Sequence, residues 1–355
     1  RHGVRRQRQM CIRDSSYTDW QMGVSEKTIC VLSTFPRLEE IPLPPNVKHV
    51  SIAAASNAEL VRAYFSRGPE HRCFLFNGLS QQVWVVALIK LLFPSRRRKL
   101  VVVDMVLSVP TTRRDWRVVV LRRKLMRAVD LFVSYARNTK GIQEVYEIPE
   151  SRFLYVPFKV NDWERVASME TTDDGYLVVA GQTRRDFRTF SRAIEGLDIP
   201  VRIVAPPQDV LSQHGSSLGA QDWATNVELV QDARTPDTFL PQLAGARLVV
   251  LPILQQNITP SGIGVSLVAM ALRKCVIVSA GPVSDGLIDE GQAIVVPAGD
   301  HVALRDAIVR AWRDPELRKT TAERGFAYAR TLGGEKRLYR DLLDAVIRLS
   351  GESER

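Results

Sequence analysis

The sequence NITPSGIGVSLVAMALRKCVIVSA, residues 257–280, passes from a loop of small residues into an apolar helix and then into a buried strand. Gly262 and Gly264 would let a ligand approach the backbone of this loop closely. We predict that Ser261 caps the helix, whose first backbone N–H groups have no partners within the helix and favour an anion. Ordinary turn chemistry at a helix start gives the same pattern, so the rest of the chain must distinguish the two interpretations.

Short β-rich runs alternate with helical patterns over most of the chain. The predicted strands are 28–33, 47–54, 72–76, 99–104, 131–134, 153–156, 176–180, 201–204, 227–231, 248–251, 276–279 and 293–296. The predicted helices are 58–66, 81–93, 114–129, 140–147, 187–196, 236–244, 266–273, 302–312, 316–330 and 336–349. Continuous apolar runs such as 100–103 and 246–252 are typical of parallel strands covered on both faces. The sequence therefore predicts an α/β protein with two Rossmann-like, doubly wound parallel-sheet domains.

A polar stretch with little strand signal, 161–174, separates the two series of strands. We place an N-terminal domain at 25–165 and a C-terminal domain at 170–335, which leaves 336–355 for a final helix. Residues 1–15, RHGVRRQRQMCIRDS, fit no periodic pattern and end in a run that resembles translated adapter sequence. We interpret them as a leader outside the fold.

Composition and length are those of a globular protein of two domains. The 355 residues are 45% hydrophobic and 25% charged, with a formal net charge of +10. Cys30, Cys73 and Cys275 each lie in a strand-like run and form no C-x-x-C pair, which favours free thiols in a reducing, cytoplasmic compartment. The longest apolar run, 83–93, is interrupted by Lys90 and is too short to cross a bilayer.

The segment Gly181-Gln-Thr-Arg-Arg-Asp-Phe187 follows the first predicted strand of the second domain. Ligands of open parallel sheets bind beyond the carboxyl ends of strands, and Arg184 and Arg185 offer forked donors to a diphosphate. The alternative is a solvated turn that places Asp186 in the first turn of a helix. We favour a diphosphate site, which joins this segment to the 257–264 loop. Its predicted residues are Gly181, Arg184, Arg185, Asn257, Thr259, Ser261, Gly262 and Gly264.

Residues 257–280 resemble the donor-binding region of GT-B glycosyltransferases of the glycosyl transferases group 1 kind (family four-like), roughly E-x-F-G-x-x-x-x-E-A-M-A-x-G-x-P-V-I. The matching positions are Gly262, Gly264, Leu267, Ala269-Met270-Ala271, Lys274 and Val276-Ile277. The two glutamates of the pattern fall on Pro260 and Val268, and its proline falls on Cys275. The carboxylates that contact the donor sugar in the family are therefore missing here.

Two further segments are similar to parts of that family. Residues 181–187 resemble the segment that contacts donor phosphates, and 227–231 with Asp232 match a strand after which the nucleotide base is often bound, although a plain core strand is the alternative. The resemblance covers 175–330 well and the first domain weakly. It implies a cleft between two domains, a final helix that returns to the first domain, and a nucleotide-diphosphate sugar as co-substrate with no other cofactor. The implied acceptor is a glycan or a lipid-linked molecule.

Asp104 ends the predicted strand 99–104 and is the candidate catalytic base. Inverting members of the family use a carboxylate or imidazole of the first domain to deprotonate the acceptor hydroxyl. A turn residue or a partner for nearby arginines is the alternative. Asn77 and Gly78 end another strand and are candidates for the acceptor side. The histidines are scattered and no D-x-D triplet occurs, so we predict no metal.

The segment 90–127 holds twelve Lys and Arg against Asp104 and Asp115, which equals the net charge of the whole chain. We predict an anionic membrane surface as its partner, with a solvated basic face, a phosphate-rich acceptor and nucleic acid as alternatives. Nucleic acid is the least favoured of these because no recognition motif accompanies the charge. The residues predicted to face the membrane are Arg96, Arg97, Arg98, Lys99, Arg113, Arg117, Lys124 and Arg127.

Together these features predict a cytoplasmic, peripherally membrane-associated glycosyltransferase of polysaccharide or glycolipid synthesis. A nucleotide-sugar epimerase would share the donor site but would need no acceptor. A catalytically silent relative that only binds a ligand or partner is also consistent with the missing glutamates. A basic nucleic-acid-binding protein is the third alternative.

Overall fold

The computed structural model describes residues 28–68, 70–107, 109–219, 223–231, 235–285, 288 and 291–351. Within them the chain forms twelve strands in two sheets of six, alternating with helices for most of its length. This arrangement confirms the predicted α/β fold of two doubly wound parallel sheets. The predicted leader 1–15 lies outside the described residues.

The first sheet consists of β1 (Ile29–Ser33), β2 (Val47–Ser51), β3 (His71–Asn77), β4 (Arg98–Val103), β5 (Leu131–Ser134) and β6 (Phe153–Tyr155). Its order is β2-β1-β3-β4-β5-β6, and every pair is parallel. Four helices cover one face: α1 (Asn57–Phe65), α2 (Gln81–Leu92), α3 (Arg113–Met126) and α4 (Lys140–Tyr146). The central strands are buried on both sides, which explains their uninterrupted apolar sequences.

The opposite face of the first sheet is covered by the last helix of the chain, α12 (Glu335–Gly351), which contacts β1, β3 and β4. Leu338, Leu342 and Val346 recur at helical spacing and are buried against the sheet. Arg337 at the start of the helix donates 2.7 Å and 3.0 Å hydrogen bonds to the carbonyls of Pro157 and Phe158, which follow β6. The carboxyl-terminal helix thus completes the core of the amino-terminal sheet.

The second sheet consists of β7 (Leu177–Ala180), β8 (Val201–Val204), β9 (Val227–Val230), β10 (Leu248–Leu251), β11 (Cys275–Ser279) and β12 (Ile294–Val296). Its order is β12-β11-β10-β7-β8-β9, again all parallel. One face carries α5 (Trp163–Ser168), α8 (Pro236–Ala244), α9 (Ile263–Ala271) and α11 (Pro315–Leu332). The other carries α6 (Phe187–Ile194), α7 (Gln208–Gln213) and α10 (His301–Arg313).

Each predicted strand and helix is present, with shifts of a few residues at the ends. Helices α5 and α7 were not predicted, because six residues are too few to show a clear helical period. Helix α9 begins at Ile263 instead of 266, since Gly262 adopts the N-cap position with φ +91°. Cys30, Cys73 and Cys275 are buried free thiols on strands β1, β3 and β11.

Candidate active site

The carboxyl ends of the two sheets face each other. Ile258, in the loop after β10, packs so closely on Gly141 of α4 that a Cβ on the glycine would lie 2.5 Å from the isoleucine Cγ2. Asn138, after β5, donates a 2.7 Å hydrogen bond to the carboxylate of Asp285, after β11. Loops at the carboxyl edges of parallel sheets form ligand sites, and here two such edges lie side by side.

Arg185 is a buried cation in the loop after β7. Its side chain is 2% exposed and donates 2.8 Å and 2.9 Å hydrogen bonds to the carbonyls of Ala180 and Thr183. The guanidinium lies directly against Gly181 and Gly262, where a side chain would occupy its space. Gly181 and Gly262, two of the three glycines predicted for the donor site, therefore lie together around Arg185, one of its two predicted arginines.

Burial lowers the pKa of the Arg185 guanidinium to about 10. Desolvation is the cause, and within the described residues no carboxylate compensates it. A buried cation without a counter-ion is costly, and this one lies beside the N-terminus of α9, where the helix dipole favours negative charge. The arrangement is suited to binding an anion.

The conformation of the 181–187 loop is fixed by contacts that are distant in sequence. The Ser216 hydroxyl accepts a 2.8 Å hydrogen bond from the Arg185 backbone N–H and donates one of 2.5 Å to the Gln182 carbonyl. The Asp186 backbone N–H donates to the Pro252 carbonyl at 2.9 Å, and the Asp186 side chain caps α6 through the Thr189 N–H. Ser216 was not predicted as a site residue, because its role depends on a contact across 31 positions.

Arg184 points away from Arg185. Its backbone has φ +55°, and its guanidinium lies over Gly215, where a Cβ would be 3.0 Å from the guanidinium carbon. Its carbonyl accepts a 3.0 Å hydrogen bond from the Leu254 N–H, so the loop after β7 is tied to the loop after β10. The structure separates the two arginines that the sequence places side by side.

The polar side chains of the 257–262 loop bind one another. The Asn257 Oδ1 accepts hydrogen bonds from the hydroxyls of Thr259 (3.0 Å) and Ser261 (3.2 Å), and its Nδ2 donates to the Thr259 carbonyl at 2.6 Å. Thr259 is 1% and Ser261 6% exposed, so they support the loop from inside. The prediction that Ser261 is the N-cap is wrong: Gly262 takes that position, and no side chain caps the helix.

Gly264 faces away from Arg185. A Cβ on Gly264 would lie 3.3 Å from the Asn161 Nδ2 and 3.8 Å from the Phe158 ring. Both neighbours belong to the segment between the sheets, so Gly264 permits close packing of α9 against that segment. Gly264 therefore contacts the segment between the sheets and lies away from the predicted anion site around Arg185.

Asp104 follows β4 at the carboxyl edge of the first sheet, with its backbone at φ +52°. Burial raises the pKa of its carboxyl group to about 6, and no cation among the described residues offsets this. The charge of Asp104 in turn contributes, after burial itself, to raising the pKa of Tyr135 beyond β5. A carboxylate with a pKa near neutrality is suited to accept a proton at physiological pH.

Gly78 lies beside Asp104, since a Cβ on the glycine would lie 3.9 Å from the Asp104 carbonyl. Its backbone has φ +78°. Asn77, which ends β3, is exposed. The three residues share the carboxyl edge of the first sheet, as the sequence predicts from their places at strand ends.

Two residues of the basic segment are turned inward. The Arg98 guanidinium donates to the carbonyls of Tyr64, Ser66 and Glu70 at 2.9, 2.7 and 3.2 Å, and the Lys99 ammonium lies 4.0 Å from Asp130. Arg98 thus joins chain segments at the start of β4, which corrects its predicted membrane-facing role, while Lys99 is half-buried beside Asp130. The other predicted residues of this set are exposed: Arg96, Arg97, Arg113, Arg117, Lys124 and Arg127.

No group of three or more His, Cys, Asp or Glu side chains with metal-binding geometry occurs in the part of the chain that the structure describes. In the same residues, no helix is both long and apolar enough to span a bilayer. Asp232, which matches the family position for base contacts, lies outside the described residues.

Several solved structures with similar architecture are glycosyltransferases. Sucrose-phosphate synthase from Thermosynechococcus elongatus has a TM-score of 0.65 at 14% identity and covers 92% of this chain and 100% of its own. A glycosyltransferase from Rickettsia africae has a TM-score of 0.61 at 11% identity and covers 92% of this chain and 99% of its own. HepE from Anabaena, solved with UDP and glucose, has a TM-score of 0.60 at 13% identity, and the match covers 90% of this chain and 99% of HepE.

The chain therefore has the GT-B fold. No protein-family model and no curated protein matches the sequence. At these identities the structural likeness establishes the architecture, and the chemistry must be argued from the site.

Proposed function

We propose that the protein transfers a sugar from a nucleotide-diphosphate sugar to a glycan or lipid-linked acceptor in polysaccharide or glycolipid synthesis. The observation that carries the proposal is Arg185, a buried cation without a carboxylate partner among the described residues. It lies against Gly181 and Gly262 at the N-terminus of α9. A diphosphate supplies the missing negative charge, and the two glycines leave room for the Arg185 guanidinium beside the start of α9.

The structural neighbours support a nucleotide sugar as the ligand. HepE was solved with UDP alone as well as with UDP and glucose, and another neighbour is a UDP-forming α,α-trehalose-phosphate synthase from Burkholderia vietnamiensis. The buried thiols of Cys30, Cys73 and Cys275 support a reducing compartment, which we take to be the cytoplasm.

In the proposed reaction Asp104 accepts the proton of the acceptor hydroxyl. The acceptor oxygen forms a bond to the anomeric carbon of the donor sugar while the bond from that carbon to the diphosphate oxygen breaks. The electron pair of the broken bond remains on the diphosphate, where Arg185 and the backbone N–H groups at the start of α9 stabilise it without a metal. Attack from the side opposite the leaving group inverts the anomeric configuration.

The donor sugar is held differently from the family pattern. The family glutamates are replaced by Pro260 and Val268, and Val268 is 3% exposed within the core of the second domain. Asn257 is half-buried, and its amide already binds Thr259 and Ser261, so it supports the loop that carries the proposed donor site. A catalytically silent relative is the competing hypothesis.

Thermal unfolding with UDP, GDP and dTDP and their sugar conjugates tests the donor site. A ligand present at a hundred times its dissociation constant adds about 2.7 kcal/mol, which raises the midpoint by several degrees. We expect one nucleotide to produce such a shift. If the protein unfolds cooperatively and none of the ligands changes the midpoint, the proposed donor site is wrong.

Assays with and without an acceptor distinguish a transferase from an epimerase and from a silent binding protein. A transferase releases the nucleoside diphosphate rapidly only with an acceptor present, whereas an epimerase converts the nucleotide sugar without one. Nucleotide binding with neither reaction indicates a silent binding protein. NMR of the product's anomeric proton then tests the role of Asp104, because clean retention would exclude it as the base of a single displacement.

A further inference from the structure

Helices α2 and α3 expose an unusual number of large apolar side chains. They include Leu92 (65% exposed), Leu121 (59%), Phe93 (55%) and Trp116 (45%). The two helices are neighbours on one face of the first sheet and contact each other, so their outer sides point the same way. We name this surface the α2–α3 face, defined by Leu88, Leu91, Leu92, Phe93, Trp116, Val118, Val120 and Leu121.

The apolar residues of α3 lie among basic ones. Arg113, Arg114, Arg117 and Lys124 are all exposed on this helix, and Arg127 follows it. The helix has one acidic residue, Asp115, whose carboxylate accepts hydrogen bonds from the Thr111 and Thr112 backbone N–H groups in a capping box. The outer side of α3 therefore combines cations and apolar side chains with no competing acid.

A cavity of about 390 Å³ opens where α2 and α3 end. Its walls include four basic residues, Lys90, Lys99, Arg127 and Arg152, and one acidic residue, Asp130, together with Leu91 of the α2–α3 face. Asp130 is paired with Lys90, so the charge of the cavity is strongly positive. A phosphate group is of the right charge for this cavity.

We propose that the α2–α3 face docks on the surface of an anionic lipid bilayer. The apolar side chains enter the boundary between headgroups and acyl chains, and the surrounding Arg and Lys side chains reach the lipid phosphates. The cavity lined by Arg127 and Arg152 accepts one headgroup. A single partner, the bilayer, then binds both the basic and the apolar side chains of the α2–α3 face.

Two other partners fit less well. A symmetric dimer through this face would place α3 against its own copy and bring like charges together. A nucleic acid would neutralise the arginines but would leave Leu92, Leu121 and their neighbours without an apolar partner. The bilayer surface satisfies both kinds of side chain.

The segment between the candidate base and α3 carries one further exposed apolar side chain. Val106, 58% exposed, lies two residues after Asp104 in the segment between β4 and α3. A docked protein would hold this segment near the bilayer, where a lipid-linked acceptor resides. The docking itself does not depend on sugar transfer, so it is measured without any nucleotide sugar.

Vesicle co-sedimentation of the full chain tests the proposal. We expect tight binding to vesicles of phosphatidylcholine with 30 mol% phosphatidylglycerol and weak binding to phosphatidylcholine alone, with loss of binding at high salt. Neutralising three cations together in R113Q/R117Q/K124Q should lower the partition coefficient about 100-fold, since each contributes about five-fold. The double variant L92E/L121E should abolish binding.

Matched controls lie in the second domain. The variants Val302→Glu and Arg310→Gln change exposed residues of α10 and should bind vesicles as the wild type does. Circular dichroism and the unfolding midpoint show that each variant is folded. The proposal is overturned if the wild type ignores anionic vesicles, or if L92E/L121E binds them as well as Val302→Glu does. Binding to duplex or single-stranded nucleic acid in place of vesicles, or a dimer that L92E/L121E dissociates, would assign the face to another partner and equally refute it.

Discussion

At the scale of single residues, the candidate site has two charges of opposite sign, a buried Arg185 and a half-buried Asp104. Arg185 belongs to the carboxyl edge of the second sheet and Asp104 to that of the first. Each has its pKa shifted toward neutrality by burial, and neither has an opposite charge among the described residues to offset the cost. Such uncompensated groups are expected where a ligand completes the electrostatics.

Asp104→Asn should stabilise the protein at neutral pH while abolishing transfer. The carboxyl pKa is about 6 in the folded protein and about 4 in an unfolded chain, so the folded state binds the proton more tightly. Ionisation therefore begins to cost stability above about pH 4, and the cost is complete above about pH 6. Each pKa unit corresponds to about 1.4 kcal/mol, so a shift of about two units gives a gain for Asn on the order of 3 kcal/mol at pH 7.5. Asn also tolerates the positive φ at this position.

Urea unfolding at pH 4 and pH 7.5 measures this effect, which should appear only at the higher pH. Asp306→Asn, on the exposed side of α10, is the control and should change little. In the wild type, kcat/KM should rise with pH through an acid limb near 6, as Asp104 loses its proton. Full transfer activity in the Asp104→Asn variant would show that Asp104 is not the base.

Arg185→Lys should weaken binding of a nucleoside diphosphate by 10- to 100-fold, because a lysine cannot reproduce the forked contacts of a guanidinium. Arg184→Lys is the matched control, since the Arg184 side chain lies over Gly215 and not at the start of α9. Titration calorimetry with the nucleotide identified by thermal unfolding gives both affinities. Equal losses in the two variants would show that the arginines act together after all.

At the scale of elements, α9 is the helix whose start forms the anion site. Its N-terminus has no side-chain cap, and Gly262 has a left-handed backbone there. The Ile263 N–H donates a long 3.4 Å hydrogen bond to the Pro260 carbonyl, and the next N–H groups of the first turn remain available to a ligand. The sequence predicted this helix but assigned its cap to Ser261, because serine is a favoured N-cap residue. In the structure the Ser261 hydroxyl instead donates to the Asn257 Oδ1, four residues earlier in the same loop.

Gly262→Ala should lower both stability and nucleotide binding. An alanine in a left-handed conformation costs about 1–2 kcal/mol, and its Cβ would lie 3.1 Å from the Ile253 Cδ1 and 3.4 Å from the Arg185 guanidinium. Gly196→Ala is the control, because Gly196 has φ +67° with open space around it. The control should lose comparable stability in urea unfolding but keep its nucleotide affinity. If both variants bind nucleotide equally well, Gly262 is not part of the site.

Helix α3 does not collect its apolar residues on one side. Val118 and Leu121 are exposed, while Val119 and Met126 are buried. The helix carries so many basic residues that its apolar positions do not define a single core side. Only the packing of α3 between α2 and α4 decides which side is buried.

At the scale of the whole molecule, the contact between Ile258 and Gly141 is one of the close contacts that set the distance between the two sheets. Ile258 and Gly141 are far apart in sequence and belong to different sheets. Gly141 lies within α4 and does not have a positive φ, so its small size serves this contact and not the local backbone. The contact fixes how closely the donor loop approaches the first domain.

Gly141→Ala should open the cleft without unfolding the first domain, since alanine is about 1 kcal/mol better than glycine within a helix. The new Cβ displaces Ile258, and we expect nucleoside diphosphate affinity to fall several-fold. The double variant Gly141→Ala/Ile258→Ala restores the space and should recover most of the affinity, which makes the two effects non-additive. Small-angle X-ray scattering would report a larger radius of gyration for the single variant. Unchanged affinity in Gly141→Ala would show that this contact does not control the site.

The sequence by itself determined the strands, most helices and the parallel-sheet architecture of this protein, because buried parallel strands and amphipathic helices leave strong local patterns. It also indicated the loops at strand ends where Asp104, Gly181 and Gly262 lie. Tertiary structure alone decided that Arg185 is buried while Arg184 turns outward, that Ser216 holds their loop and that α2 and α3 expose leucine and tryptophan among arginines. These outcomes depend on contacts between residues tens of positions apart, which leave no periodic signal in the chain.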